Sequence, residues 1–288
     1  MLSFIYDLVS SFFVTDIPSV NVSLAKRMKS YELECDTQIE SPKCFIIRLD
    51  GRCFSKFTKR FKTKESPFDP KFAKAMIWTM LDLVKKFGAK TGYTHSDEIS
   101  LIFTPDYNEY RKTFGYQFNG RIQKLLSLMA SFCSVRFAYH FAKILNINPN
   151  SDEKLYDLIL EQMFDARIIC FYPLDLHEIV NHMIWRSIHD CSRNCISTYT
   201  RNYFSAKQMH GKRFEQMVEM LKSVGVNWET DVPMWQKYGV YWKSNGARIF
   251  KIKYDDNIID DLLEKNWSEC ETESINLITK DELDNLIN

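Results

Sequence analysis

The strongest constraint on how this chain can fold is a pair of carboxylates, each set at the edge of a short apolar run. Asp50 follows Cys44-Phe45-Ile46-Ile47-Arg48-Leu49, and Asp97 precedes Glu98-Ile99-Ser100-Leu101-Ile102-Phe103. Both runs have the length and the branched and aromatic content of strands, and turn formers flank them. Between them, from Lys71 to Phe87, apolar residues such as Phe72, Met76, Met80, Val84 and Phe87 recur at three- and four-residue steps. That spacing predicts a helix with one buried stripe, capped by Asp69, carrying Pro70 in its first turn and closed by Gly88. Ala89–Tyr93 and Glu98–Phe103 then read as a hairpin around Thr94–Asp97. Strand, helix, hairpin is an order that carries both acids to one end of one sheet. The helix would be the crossover if the first strand paired in parallel with a later one. Two acids at neighbouring strand tips can hold divalent cations over a bound triphosphate.

Further along, a long helical pattern runs from about Phe118 to Leu145, with Arg136 and His140 on its repeating face, and a shorter one covers Leu155 to Met163. Asp165–Tyr172 is a strand stopped by Pro173, after which Asp175 can cap a helix to about Ser187. Helices follow at Arg193–Phe204 and Lys212–Val224, with a turn capped by Ser205 between them. Tyr238–Trp242 and Ala247–Ile252 are hairpin arms around Asn245-Gly246, and Lys280–Ile287 forms a last helix. These divisions give an N-terminal extension (1–30), a first domain (31–163) and a helical and strand-containing second domain (164–288).

With 38 basic and 37 acidic residues, the net charge of +1 offers no overall nucleic-acid footprint, so any RNA-binding surface has to be a local patch. The eight cysteines include no C-x-x-C pair, which argues against a zinc ribbon or a disulfide framework and for a reducing, intracellular setting. Met1 to Val20 carries two acids and no Lys or Arg, unlike a secretory signal or a transit peptide, and favours the cytoplasm over the mitochondrion. No uninterrupted apolar run approaches membrane-spanning length, so no membrane association is expected.

Taken alone, Asp50-Gly51 is a common turn pair and Ser96-Asp97-Glu98 an ordinary polar hairpin tip. Together they carry chemistry. Gly51 has no side chain to keep a ligand from the backbone, and its carbonyl can serve as an oxygen ligand for Mg²⁺. Ser96 adds a hydroxyl, and Arg52 and Lys56 add positive charge for phosphates. A solvated basic loop running on to Lys64 explains those cations equally well.

The stretch Arg48-Leu49-Asp50-Gly51-Arg52-Cys53-Phe54-Ser55, followed after a helix by Gly92-Tyr93-Thr94-His95-Ser96-Asp97-Glu98-Ile99-Ser100, resembles the tRNA-histidine guanylyltransferase superfamily. Ordered matches continue downstream at Phe164-Asp165-Ala166-Arg167, Trp185-Arg186, Asp190-Cys191-Ser192-Arg193-Asn194-Cys195-Ile196-Ser197, Phe204-Ser205-Ala206-Lys207 and His210-Gly211-Lys212. The resemblance implies an α/β (α+β) fold: a polymerase-like palm with an antiparallel sheet and flanking helices, then a mainly helical C-terminal part. It also implies addition of nucleotides to the 5′ end of RNA, opposite in direction to ordinary polymerases. Eukaryotic histidine-tRNA enzymes have a His-Ile-Asn-Asn element where this chain has Ser192-Arg193-Asn194-Cys195. The element here is similar instead to that of the guanylyltransferase-like branch, which carries out template-dependent 5′-end repair or editing of truncated tRNAs. Cys195 replaces the usual Ser, and Ser55 stands where many members have His.

Carried onto this chain, the resemblance makes Asp50 and Asp97 catalytic and has them coordinate two Mg²⁺ ions with the Gly51 carbonyl. Asp50, Gly51, Arg52, Cys53, Phe54, Ser55, Ser96 and Asp97 would bind the nucleotide triphosphate, with ATP and GTP or other NTPs as substrates. Glu98 either belongs to the site or shapes the turn. Arg193 and Asn194 contact triphosphate or the RNA end, or else cap a helix start; Lys207 and Lys212 contact RNA phosphates or are ordinary helix surface. A tRNA partner and a homo-tetramer are implied as well. The competing readings are a histidine-tRNA enzyme adding a single 5′ G, a palm-fold relative of nucleotide cyclases, and a non-catalytic RNA-binding palm.

Overall fold

The computed structural model describes residues 23–40, 43–61, 67–103, 106–108, 113–172, 176–243 and 246–248. The N-terminal twenty residues, the end of the basic stretch at Lys62 and Lys64, Asp175, residues 249–252 of the last hairpin's far arm and the helix expected at 280–287 lie outside them. The chain divides into two units, residues 1–37 and 38–288. The first contains helix α1 (Leu24–Glu34), whose N-cap Ser23 accepts a hydrogen bond from the Lys26 amide. Leu24, Met28 and Tyr31 fall at four- and three-residue steps along it, and all three are exposed.

In the second unit, β1 (Cys44–Gly51) leads through the short helix α2 (Phe54–Thr58) to α3 (Pro70–Phe87), then to β2 (Thr91–His95) and β3 (Glu98–Phe103). A separate small hairpin pairs β4 (Asp106–Asn108) with β5 (Thr113–Gly115). Helices α4 (Ile122–Leu145) and α5 (Glu153–Leu160) precede β6 (Phe164–Phe171). Then come α6 (Leu176–Ile184), a π-helical turn at Trp185–Cys191, and α7 (Ser192–Arg201). The chain closes through α8 (Ala206–Met209), α9 (Phe214–Ser223), α10 (Trp228–Asp231) and α11 (Met234–Tyr238) into β7 (Val240–Lys243) and β8 (Gly246–Arg248).

Six strands form one sheet in the order β6-β1-β3-β2-β7-β8, and each neighbouring pair is antiparallel. This is the antiparallel sheet that the resemblance implies, and no strand lies parallel beside β1. Helix α3 does return the chain so that β2 runs parallel to β1, but the two-residue tip Ser96-Asp97 folds β3 back between them. The sheet also crosses residue 163, because β6 pairs with β1 along its whole length, from Cys44 opposite Phe171 to Gly51 opposite Phe164.

Alternation sorts the sheet residues onto two covered faces. Ile47, Leu49, Ile99 and Leu101 face α3 and α4 in the main core, with Met76, Met80, Met129 and Phe137. Ile46, Tyr93, Ile102 and Tyr241 face the other way, onto Ile179 and Met183 of α6 and Cys191 of the π turn. A third cluster joins Phe68 to Cys195, Ile196 and Tyr199 of α7, Met217 and Leu221 of α9, and Trp228 of α10. Helix α3 has the expected caps. The Asp69 carboxylate accepts the Phe72 amide at 2.6 Å, and Gly88 takes φ 66°. The long helix starts later than expected, at Ile122, because Phe118 and Asn119 have φ of 53° and 54°.

By length and composition α4 could cross a membrane, but Leu125, Met129, Cys133, Phe137 and Phe141 are buried in the main core. Arg136 and His140 leave that core face and converge on Asp82, at 2.5 and 2.6 Å. Phe137 is the hub of the core, with its ring against Phe54, Phe72, Phe141 and Phe164 at centroid distances of 5.3, 5.4, 5.4 and 5.6 Å. Phe137→Ala should therefore cost about 3–5 kcal/mol in denaturant unfolding, while a loss below about 1.5 kcal/mol would contradict this packing.

Candidate active site

The last residues of β1 and the tip of the β2–β3 hairpin meet end to end. The Gly51 amide donates to the Asp97 carbonyl at 3.0 Å, and the Thr94 hydroxyl closes the tip by donating to the Glu98 carbonyl at 2.8 Å. Ser96 accepts a left-handed backbone, φ 53°, to make the two-residue turn. Gly51 is needed for a second reason: a Cβ there would lie 2.5 Å from the Phe54 ring. Asp50, Gly51, Ser96 and Asp97 are thus gathered at one place, half-buried.

Arg52, Cys53, Ser55 and Lys56 are exposed around the start of α2, where Cys53 takes φ 61°. Phe54 is the buried member of this segment. It is 1% exposed and packed among Phe57, Phe72, Phe137 and Phe164, so only its backbone is placed to meet a nucleotide. Arg193 and Asn194 are exposed in the first turn of α7, and they cap nothing, because the helix runs on from the π turn without a free N-terminus. Lys207 and Lys212 are exposed on and just after α8, and no ion pair among the described residues joins them to the acids.

The register sets three carboxylates side by side across the sheet, with Asp50 opposite Glu98 on one flank and Asp165 on the other. Adjacent strands lie about 4.8 Å apart, so like charges at this level repel unless cations intervene. Three arginines do so, and the sequence reading assigned a role to none of them. Arg167 Nη2 lies 3.4 Å from Asp50 Oδ2 and 3.6 Å from Asp165 Oδ1. Arg48 Nη2 lies 3.8 Å from Asp50 Oδ2 and donates to Glu98 Oε1 at 2.6 Å. Arg186 donates to both Glu98 and Asp190. Arg48 had a signal in its sequence, as an arginine two residues from Asp50 in an otherwise apolar strand, and so on the same face. Arg186 and Asp190 stand among the downstream matches, but nothing local pairs them with Glu98, which is distant in sequence.

Asp50 is held only by the longer contacts, whereas both Glu98 oxygens are taken. Among the described residues, no group of three or more His, Cys, Asp or Glu side chains could hold a metal ion. Magnesium asks less of the protein, one or two carboxylates completed by water and substrate phosphates. Asp50, the Gly51 carbonyl and Asp97 supply hard oxygens of that kind, and the amide-to-carbonyl bond between the two tips keeps them adjacent.

Beside the tips opens a cleft lined by Thr58, Phe72, Met76, Thr94, Ser96 and Val240, with Asp69 at its wall. Burial pushes the Asp69 carboxyl above its usual range, against the opposing pull of the Phe72 amide. His95 is buried at the same wall, with Nε2 2.8 Å from the Gln236 carbonyl. Burial pushes its pKa from 6.5 down to about 4, so the ring is neutral at ordinary pH. The unfolded chain takes up this proton near pH 6.5 and the folded one only near 4, so stability should fall across that window and level off below it. Between pH 7 and 4 the unfolding free energy should drop by up to about 3 kcal/mol more in the wild type than in His95→Gln. Equal slopes in chemical denaturation would contradict a neutral buried His95.

The model of the family described as tRNAHis guanylyltransferase matches residues 25–173. An uncharacterised protein of Acanthamoeba polyphaga mimivirus is 39% identical over 241 residues, covering 81% of each chain. The tRNA(His) guanylyltransferase 1 of Arabidopsis thaliana is 24% identical over 241 residues, which are 81% of this chain but 38% of that longer protein. Among solved structures, a bacterial tRNA(His) guanylyltransferase-like protein in complex with ATP superposes with a TM-score of 0.65 at 30% identity, over 77% of this chain and 89% of that one. The order of motifs, the antiparallel palm and these likenesses agree: the chain belongs to the tRNAHis guanylyltransferase family and is a nucleotidyltransferase.

Proposed function

We propose that this protein adds nucleotides to the 5′ end of truncated tRNAs opposite a template base, as a 5′-end repair or editing enzyme. The observation that carries the reading is the meeting of Asp50, Gly51 and Asp97 at two strand tips, joined by one backbone hydrogen bond beside an open cleft. ATP or GTP would first activate a 5′-monophosphate on the RNA with release of pyrophosphate. The 3′-hydroxyl of an incoming NTP then attacks the activated 5′ phosphorus, and the nucleoside monophosphate leaves. The ATP complex of the bacterial relative supports nucleotide binding on this fold.

Asp50, Asp97 and the Gly51 carbonyl would hold Mg²⁺, two ions in our reading, which when bound lowers the pKa of the attacking hydroxyl and offsets charge on the phosphoryl group. The chain itself supplies orientation. The apolar walls of the cleft suit a nucleobase, Asp69 and Ser96 offer polar contacts at its rim, and Arg52 and Lys56 face solvent where a triphosphate would extend. Absence of histidine at Ser192-Arg193-Asn194 favours repair over addition of the single histidine-tRNA G.

The test is extension of a 5′-monophosphorylated, 5′-truncated tRNA carrying different opposing bases. Addition of the NTP complementary to each base is expected, and a lone G added whatever the opposing base would overturn the repair reading. Asp50→Asn and Asp97→Asn should each lower kcat at least about 100-fold. Asp50 is loosely paired and partly exposed, so its replacement should change stability by less than about 1 kcal/mol. Undiminished extension by either variant would remove that residue from the site.

A further inference from the structure

Glu98 follows Asp97 directly, yet its carboxylate is not free to join a metal site. Arg48 donates to Oε1 at 2.6 Å and Arg186 donates to Oε2. Arg186 is 3% exposed, and its other Nη donates to Asp190. Its Nε finds no partner among the described residues. A buried guanidinium with one donor unsatisfied costs stability and contributes little to it in return. What it contributes is direction, because a planar fork bonded to two carboxylates fixes both in one plane.

The local winding serves this contact. Arg186 and Asp190 belong to the π-helical turn between α6 and α7, a form of winding associated with functional sites. That turn is fastened to the rest of the fold by other bonds. The Ser187 hydroxyl donates to the Tyr238 carbonyl at 2.7 Å, and the Tyr93 hydroxyl donates to Cys191 Sγ at 3.0 Å. The segment therefore has anchors that do not involve Arg186.

Building on the proposed two-acid site, we propose that Arg186 is a positioning residue. By closing on Glu98 while Arg48 holds the other oxygen, it sets the angle of the Ser96-Asp97 tip and hence the placement of the Asp97 carboxylate relative to Asp50. The same guanidinium, through Asp190, ties that tip to α7, whose first turn exposes Arg193 and Asn194. Alongside the Ser187 and Tyr93 anchors, this side chain links the hairpin tip to the downstream motif without touching substrate.

Arg186→Lys keeps the charge but cannot span both carboxylates as a planar fork. The variant should fold and lose about 100-fold in kcat for nucleotide addition, with KM for the NTP within about threefold of wild type. Affinity for Mn²⁺ alone, read by electron paramagnetic resonance, should fall about tenfold. Because Arg186 acts through Glu98, the loss should not be additive with that of Glu98→Gln. Wild-type kcat and Mn²⁺ affinity in a folded Arg186→Lys, or additive losses in the double variant, would overturn the proposal. If Arg186→Lys does not fold, Glu98→Gln decides alone, since unchanged kcat and Mn²⁺ affinity there refute the role. A wild type that binds Mn²⁺ but adds no nucleotide overturns the repair function instead, and the Mn²⁺ affinity of the variants still judges Arg186.

Discussion

A slip of one residue between β1 and β3 would turn Asp50 into the main core and bring Leu49 out onto the acid face, because strand side chains alternate. The register is protected against such a slip on both sides. Ile47 and Leu49 are buried toward α3 and α4, while Ile46 is buried toward α6. At the end of the strand the Gly51 amide bonds the Asp97 carbonyl, so apolar packing along the sheet is converted into a fixed meeting of two strand tips. Nothing at the site is placed by a long loop; rigid elements position both acids.

That register has an electrostatic consequence. It crowds Asp165, Asp50 and Glu98 across three neighbouring strands, and arginines must enter the same face to make this tolerable. They do so unequally. Glu98 is enclosed by Arg48 and Arg186, whereas Asp50 meets Arg167 and Arg48 only at 3.4 and 3.8 Å. The unequal pairing separates two jobs among acids of the same charge, one holding the architecture and the other open to a ligand. His95 and Tyr93 sit behind the tip as neutral, buried supports, with burial pushing the Tyr93 hydroxyl well above its usual range. At the cleft wall His95 thus stands as a neutral ring at ordinary pH.

Local chemistry was readable from the sequence and long-range partnership was not. Asp69, Pro70 and Gly88 announced α3 because caps act within one turn, and alternation with a polar tip announced the β2–β3 hairpin. Which strand would lie beside β1 depended on how β3 folds back, and no pattern within β1 encodes that. The acid tips were found because their residue types carry the chemistry. Phe54 was drawn into the nucleotide set by its neighbours in the chain, although its ring is a core residue that makes Gly51 necessary. Arg186 and Asp190 matched the downstream motifs, but their bond to Glu98 was not legible, since a π turn leaves no clean period and the contact spans 88 positions. Helix α1 buries none of its residues, so the helical spacing of Leu24, Met28 and Tyr31 marks no core face within it.

What Asp50, Gly51 and Asp97 hold together decides the chemistry of the site. Anomalous diffraction from crystals grown with Mn²⁺ and a non-hydrolysable NTP tests this most directly. Metal density is expected at the Asp50 and Asp97 carboxylates and the Gly51 carbonyl, beside the triphosphate, with Glu98 still enclosed by its arginines. Metal bound elsewhere, or Glu98 swung out of its arginines to become the principal ligand, would contradict it.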